Sequence, residues 1–443
     1  MKNEKQLLLL RKARELYSKF EDKKFKNNLP SVYLNPNSNL SLFFLNLLLD
    51  RNLSFIKSFT VVVKDIFYSL RYINYKIFIP LHIADHDKII VTWAFKKDFT
   101  KNGSFKDRYF KINSNNLKKT LWIVIYMDKE KPLKFKDNII LFQPYQSNSF
   151  NFLPIIRFII ANSLILFKSP KLFLFSISSN SFFSYIFLKN IRKFLNKNIH
   201  QIIMPYEGQP FQNELVKFIK KKFRHIKTIG YVHSPPMGLP ANFIFNKYSP
   251  TKLILSGKDQ VNCFIKYLGW KKKRIIFLPS FRFSKLKTNL KNMIYLPIAM
   301  HNVKKISKRL KHLYFNNIVE VKKYKLKSHP AVISSKKNRI DIDKLKSTLK
   351  KLNTKKSRFL YKNPSIFVGT SGAIIEALER GSKVIQICDD PLFDIYSEKL
   401  WPSIKKKKID DDIFSYELRK KENLIKFGLK TSNKSNLIRI GKT

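Results

Sequence analysis

Short apolar runs rich in β-branched and aromatic residues recur along this chain, each followed by a longer segment of helical spacing. They are 120-TLWIVIYM-127, 139-IILF-142, 172-LFLFSIS-178, 201-QIIM-204, 228-TIGYVH-233, 252-KLILSG-257, 275-IIFLP-279, 293-MIYLPIAM-300, 366-IFVG-369 and 384-VIQI-387. Runs this short and this uniformly apolar suit strands buried on both faces, and their alternation with helices implies parallel sheets covered by helices on each side. The expected fold class is therefore α/β. A strand is also expected at 318-IVEVKKY-324.

The chain divides by composition. Of its 11 glycines only Gly103 precedes Gly208, so the tight turns and close backbone approaches that need glycine are expected in the second half. The polar, basic segment 280–292 lacks periodicity and reads as a linker between two α/β domains, 1–285 with a helical lead-in over 1–50, and 286–400. One helix is expected at about 342 to 352, and residues 401–443 read as a basic helical tail with helical spacing at about 411 to 427.

Lys and Arg number 87 against 30 acidic residues, a net charge of +57, which points toward phosphate-bearing partners. The abundance of Asn, Ile and Phe with few Gly and Ala is what AT-rich coding produces, and roughly half or more of the excess charge is assigned to that bias. The lysines are spread along the chain instead of forming one stripe. Two cysteines, Cys263 and Cys388, make neither a disulfide framework nor a metal cluster and fit a reducing cytosol. The N-terminal apolar run, Leu7 to Leu10, is too short for a signal peptide and reads as part of an amphipathic helix. Segment 152–188 is apolar but interrupted by Arg157, Lys168 and Lys171, and it contains no run of about 20 apolar residues. A buried helix plus a buried strand is expected there, with attachment to an anionic leaflet left open.

Three segments carry candidate chemistry. In 366-IFVGTSGAIIEALERGSKVIQI-387 a strand runs into Gly369-Thr370-Ser371-Gly372 and then a helix ended by Gly381, with Ile374, Ala377 and Leu378 on one face. Such a turn suits a phosphate, with Glu376 in reach of ribose hydroxyls; equally, Thr370 or Ser371 caps the helix and Glu376 pairs with Arg380. In 326-LKSHPAVI-333 the proline restricts the backbone that aims His329, a residue suited to binding a phosphate or protonating a leaving group. In 201-QIIMPYEGQPFQNELVKFI-219, Glu207 stands at a strand end next to Gly208 and ahead of a helix, where ligands bind in open α/β sheets. His233 ends the next strand, Ser256-Gly257 the one after, and Arg282 lies at the linker, placed to close on a nucleotide.

These segments, in this order, resemble the GT-B glycosyltransferases, and among them bacterial sialyltransferases and capsule polymer transferases, which show an acidic-acidic-Gly motif, then His-Pro, then Ser-Ser or Thr-Ser. The resemblance covers about residues 200 to 390, and residues 1–150, including 92–112, are similar to N-terminal regions of surface carbohydrate biosynthesis proteins. It implies two Rossmann-like domains facing a cleft. It implies Glu207 as the base, His329, Thr370 and Ser371 on the donor phosphate, and Glu376 on ribose. The motif here, Tyr206-Glu207-Gly208, has one carboxylate where the family has two.

The expected function is an inverting glycosyltransferase that moves a sugar from a CMP-, UDP- or GDP-linked donor to a surface glycan or lipid-linked acceptor. No cofactor and no metal are expected, since Asp341-Ile342-Asp343 opens a helix in a basic surround instead of forming a metal motif. The place eight residues before Glu376 is Val368, which disfavours the retaining class. Alternatives are a nucleotide-sugar epimerase of the same fold, although the Ser-Gly-Gly turn is here Ser371-Gly372-Ala373, and a non-enzymatic binder of nucleic acid or membrane. The binder lacks a basic-aromatic recognition motif, and no specific nucleic acid is expected. The expected location is cytoplasmic, with peripheral attachment to the inner face of the cell membrane as a further option.

Overall fold

A computed structural model describes residues 2–21, 33–35, 39–51, 60–61, 63–67, 75–83, 85–117, 119–144, 153–168, 173–174, 176–284, 292–297, 300, 302–328, 336–352 and 358–440. The apolar runs become strands where they are short and flanked by turn residues. The first eight are β1 (Tyr75–Phe78), β2 (Lys88–Ala94), β3 (Thr120–Tyr126), β4 (Ile139–Pro144), β5 (Gln201–Pro205), β6 (Lys227–Tyr231), β7 (Lys252–Leu255) and β8 (Ile275–Phe277). They form one sheet in the order β1-β4-β3-β2-β5-β6-β7-β8, parallel except for the antiparallel edge strand β1. Every residue of β3 and of β5 is buried, as the unbroken apolar runs of a sheet covered on both faces require.

Strand β9 (Ser280–Ser284) leaves this sheet to pair with the late β16 (Phe427–Gly428). A second sheet is built from β10 (Met293–Tyr295), β11 (Lys325–Lys327), β12 (Ser365–Val368), β13 (Val384–Ile387), β14 (Ile404–Asp410) and β15 (Ile413–Leu418). Its order is β11-β10-β12-β13-β15-β14, with the first four strands parallel and β15 antiparallel to both neighbours. The molecule is thus mixed α/β with two parallel-rich sheets. One continuous apolar core joins them: Leu253 and Leu255 of β7, Phe367 of β12, Val384 of β13 and the N-terminal helix Lys2–Glu21 share it. That helix also ties the second sheet's loops, since the Gln6 amide donates to the carbonyls of Leu392 (2.8 Å) and Ile395 (3.1 Å).

Several local expectations give way to tertiary context. The described residues of 172–178 form no strand: 173, 174 and 176 are helical, and Ser178 caps the helix Ser179–Ile191 by accepting from Ser181 N–H. Segment 318–324 holds only a 3₁₀ turn, Val321–Lys323, and the strand starts after it. The helix expected near 342 spans Lys336–Lys350 and includes Asp341 and Asp343. The segment 411–427 is not helical. Ile413, Phe414 and Tyr416 are buried in β15, and the lysines of 405–408 solvate β14 as an edge strand, so the tail adds a hairpin to the second sheet. Part of the supposed linker is β9, and the closing helix Asn433–Ile440 returns to the first sheet, burying Leu437 and Ile440. Among the described residues no helix is long and apolar enough to cross a membrane.

Candidate functional site

Strand order singles out two places. Chain direction across the first sheet reverses between β2 and β5, and across the second between β10 and β12. Ligands of open α/β sheets bind in the crevice beyond the C-terminal ends of strands at such a switch point. Glu207 follows β5, and Gly369-Thr370 follows β12.

The Glu207 turn is set by its own sequence. Pro210 begins the helix Pro210–Lys222, and the buried Gln212 accepts from the backbone N–H of Glu207 (3.0 Å) and of Gln209 (3.1 Å) while donating to the Pro205 carbonyl (2.6 Å). Gly208 has φ +71°, and a Cβ there would sit 1.8 Å from the Asn242 carbonyl oxygen, so only glycine fits. Asn242 in turn donates its side-chain N–H to the Glu207 carbonyl (2.6 Å).

The Glu207 carboxylate meets His233, which stands just beyond β6: Oε1 lies 3.2 Å from Nε2, and Oε2 accepts from the Gln209 amide. The Glu207 side chain is 28% exposed and the His233 side chain 3%, so the carboxylate is the accessible partner. Burial raises the Glu207 carboxyl, but the His233 hydrogen bond, the charge His233 carries when protonated at acid pH, the Gln209 amide and the Arg282 guanidinium outweigh it and hold the group below its ordinary range. Burial pushes His233 below the usual imidazole range against the pull of Glu207, with Arg282 acting in the same direction as burial. At neutral pH the pair is a carboxylate receiving the Nε2 proton of a neutral imidazole, and His233 Nδ1 is buried with no hydrogen-bond partner among the described residues.

Arg282 reaches this cluster because the Tyr231 hydroxyl accepts from the N–H groups of Phe281 (3.1 Å) and Arg282 (3.4 Å), pinning the start of β9 to the end of β6. Tyr109 packs edge-on against His233 (4.3 Å between centroids), and burial, then Glu207 and Asp107, raise its hydroxyl pKa. Asp107 beneath it is buried, accepts from Thr92 (2.5 Å) and from the N–H groups of Tyr109 (2.8 Å) and Phe110 (2.5 Å), and is raised by burial to about 6. Sequence reasoning assigned no role to Tyr109 or Asp107. Asp107 lies among the charged residues Lys106, Arg108 and Lys111, and nothing in the local sequence marks it as the one that is buried.

The second turn is more fully occupied by its own chain. Thr370 donates its hydroxyl to Asp394, whose other oxygen accepts from the N–H groups of Asp389 (2.8 Å) and Asp390 (3.1 Å). Burial raises Asp394 to about 7 against these hydrogen bonds. Ser371 Oγ accepts from Ala373 N–H (3.3 Å), a local cap. The helix Ala373–Glu379 has only seven residues, so the turn offers hydroxyls more than an extended dipole. Glu376 binds Arg380 through Nε (3.1 Å) and Nη2 (2.8 Å), and the same Nη2 donates to the Ser284 carbonyl of β9 (3.3 Å).

The two turns are neighbours. Residues 235–238, which follow His233, carry Pro235 against Gly372, and the Tyr396 hydroxyl donates to the carbonyls of Pro236 (3.1 Å) and Ser371 (3.2 Å). Glu207, His233 and Arg282 therefore cluster on one side, and Gly369, Thr370, Ser371, Gly372 and Glu376 on the other. Ser256 and Gly257 do not line a cleft as expected: Lys426 N–H donates to the Ser256 carbonyl (2.6 Å), and the Leu424 carbonyl lies directly over Gly257. The returning C-terminal chain fills that strand end. His329 and Pro330 lie outside the described residues. Among the described residues no group of three His, Cys, Asp or Glu could hold a metal. A cavity of about 410 Å³ lined by Lys88, Asn115, Thr120 and Lys434 sits at the opposite, N-terminal ends of β2 and β3 and belongs to neither turn.

The chain matches no protein-family model and no curated protein sequence.

Proposed function

We propose that the protein is an inverting glycosyltransferase of GT-B type, with one Rossmann-like unit around each sheet, acting on a nucleotide-sugar donor and a glycan or lipid-linked acceptor without a metal of its own. The observation that carries this reading is the meeting of two strand-end turns at two switch points: an ionised, accessible carboxylate on one and a Gly-Thr-Ser-Gly turn on the other.

In this reading Glu207 takes the proton of the acceptor hydroxyl as that oxygen attacks the sugar's anomeric carbon and the bond to the nucleotide phosphate breaks. His233 is a positioning residue. It donates Nε2–H to Oε1 from behind, and with Gln209 it fixes the carboxylate and keeps it in its basic form. Arg282 and the hydroxyls of Thr370 and Ser371 are proposed to take up the charge that gathers on the leaving phosphate, the Thr370 hydroxyl turning from Asp394 to do so, and His329 is proposed to join them.

Thermal melting against CMP-, UDP- and GDP-sugars tests the donor side, because only a true donor raises the melting point in proportion to its affinity. Turnover of that donor by Glu207→Gln tests the base. Failure of every nucleotide sugar to stabilise the protein, or full turnover by Glu207→Gln, overturns the assignment.

A further inference from the structure

The helix Leu153–Lys168 carries an inverted surface. Its sequence is mostly apolar, a composition that belongs in a core, yet among its described side chains only the stripe of Ile155, Asn162 and Ile165 is buried. On the opposite side Ile156 (49% exposed), Ile160 (64%), Leu164 (71%) and Phe167 (86%) follow one another at intervals of three and four residues, which places them on a single outward face. Scattered exposed apolar residues are ordinary, but four large ones in register on one helix mark a binding surface.

The charge of this part of the sequence points to the occupant. From Asn138 through Tyr206 the sequence contains no Asp or Glu, while it contains Arg157, Lys168, Lys171, Lys189, Arg192, Lys193 and Lys197. Arg157 is exposed beside the stripe. The adjacent helix Ser179–Ile191, held by Phe158 against Phe182 (5.3 Å) and Tyr185 (5.9 Å), presents Tyr185 and Lys189 at the surface. Asp65 approaches from outside the segment but is engaged at the start of the adjacent helix, accepting from the N–H (2.6 Å) and hydroxyl (2.8 Å) of Ser179. An apolar stripe next to exposed cations and a tyrosine, in a segment without acidic residues of its own, is complementary to a lipid surface that carries negative headgroups above hydrocarbon. A second copy of the chain fits poorly, because two such faces would bring the basic segments 157–197 together.

We propose that Leu153–Lys168 is an interfacial helix that seats the protein on an anionic membrane, its apolar face in the acyl boundary and the surrounding Lys and Arg at the headgroups. This inference is independent of the glycosyltransferase reading.

Co-sedimentation with phosphatidylcholine vesicles, with and without phosphatidylglycerol, tests it. The protein should bind the phosphatidylglycerol vesicles, less so as salt rises, and poorly the zwitterionic ones. Burying one Ile or Leu side chain supports on the order of tenfold in partitioning, so Ile160→Glu with Leu164→Glu should lose roughly a hundredfold. Leu133→Glu, at an exposed leucine remote in sequence, should change little. Because Cys263 and Cys388 are buried, Phe167→Cys can be labelled with an environment-sensitive fluorophore, whose emission should shift to the blue on phosphatidylglycerol vesicles. Three results would overturn the proposal: no binding to either vesicle, undiminished binding by the folded double variant, or a label that stays aqueous in the presence of lipid. So would a dimer in light scattering that ignores lipid and dissociates in the double variant.

Discussion

The turns after β5 and β12 are built alike, from a buried parallel strand, a glycine at positive φ (+71° at Gly208, +63° at Gly369) and a helix, but they leave different groups available. After β5 the supporting contacts come from behind, through His233, Gln209 and Gln212, and the Glu207 carboxylate stays ionised with an open face. After β12 the chain's own side chains engage the candidate groups, Asp394 on Thr370 and Arg380 on Glu376. One turn is organised around a fixed charge. The other is organised around a carboxyl that titrates near neutrality.

The largest effect expected of this difference is on turnover. Glu207→Gln keeps the shape but removes the charge, and should cost about 10²- to 10⁴-fold in steady-state rate with an unchanged circular dichroism spectrum. An equally large loss in Thr370→Ala would mean that the second turn is no less central than the first.

The glycines give the next test. Alanine at Gly208 meets both a left-handed backbone and the Asn242 carbonyl, and should destabilise the protein by roughly 3 kcal/mol or more in denaturant unfolding. Alanine at Gly369 meets the left-handed backbone but no clash, its Cβ lying 3.5 Å from the Pro297 ring, and should cost about 1 to 2 kcal/mol. Equal losses would erase the distinction between the turns.

Asp394 predicts a pH dependence. Its carboxyl is raised from 3.8 to about 7 in the folded protein, so the folded state keeps the proton after the unfolded chain has lost it. The stability contributed by this group is complete below about 4 and is lost as pH rises to about 7, a change of roughly 2 to 4 kcal/mol. Asp394→Asn should flatten this part of the curve in melts taken across that range, and an unaltered slope would place the titration elsewhere. Glu207 and His233, both lowered, act in the opposite sense, losing their stabilisation as pH falls below the ordinary range of each group.

The smallest effect is expected at Arg380. Its pair with Glu376 is only partly buried, so Arg380→Ala should cost about 1 kcal/mol in stability. Its kinetic signature sharpens the comparison: freeing Glu376 should shift the donor KM and leave kcat nearly unchanged if that carboxylate contacts ribose.

Much of the framework was legible locally. The unbroken runs 120–127, 201–204, 366–369 and 384–387 could only be buried strands in an alternating chain, and Pro210 and Gly381 mark helix ends where they are found. Misreadings fell where one local pattern suits two structures. The run 172–178 is apolar enough for a strand but ends in serines that cap a helix, and the lysine-rich tail fits a solvated helix as well as an edge strand.

By itself, then, the sequence determined the α/β class, most strand positions and the glycine turns at their ends, because burial, alternation and backbone freedom act over a few residues. Only the tertiary structure decided that His233 backs Glu207, that Tyr109 and Arg282 crowd the same pair, that Asp394 holds Thr370, and that residues 423–426 close over Ser256 and Gly257. Each of those contacts depends on strand order and on where distant segments dock, and no periodicity within a single segment encodes it.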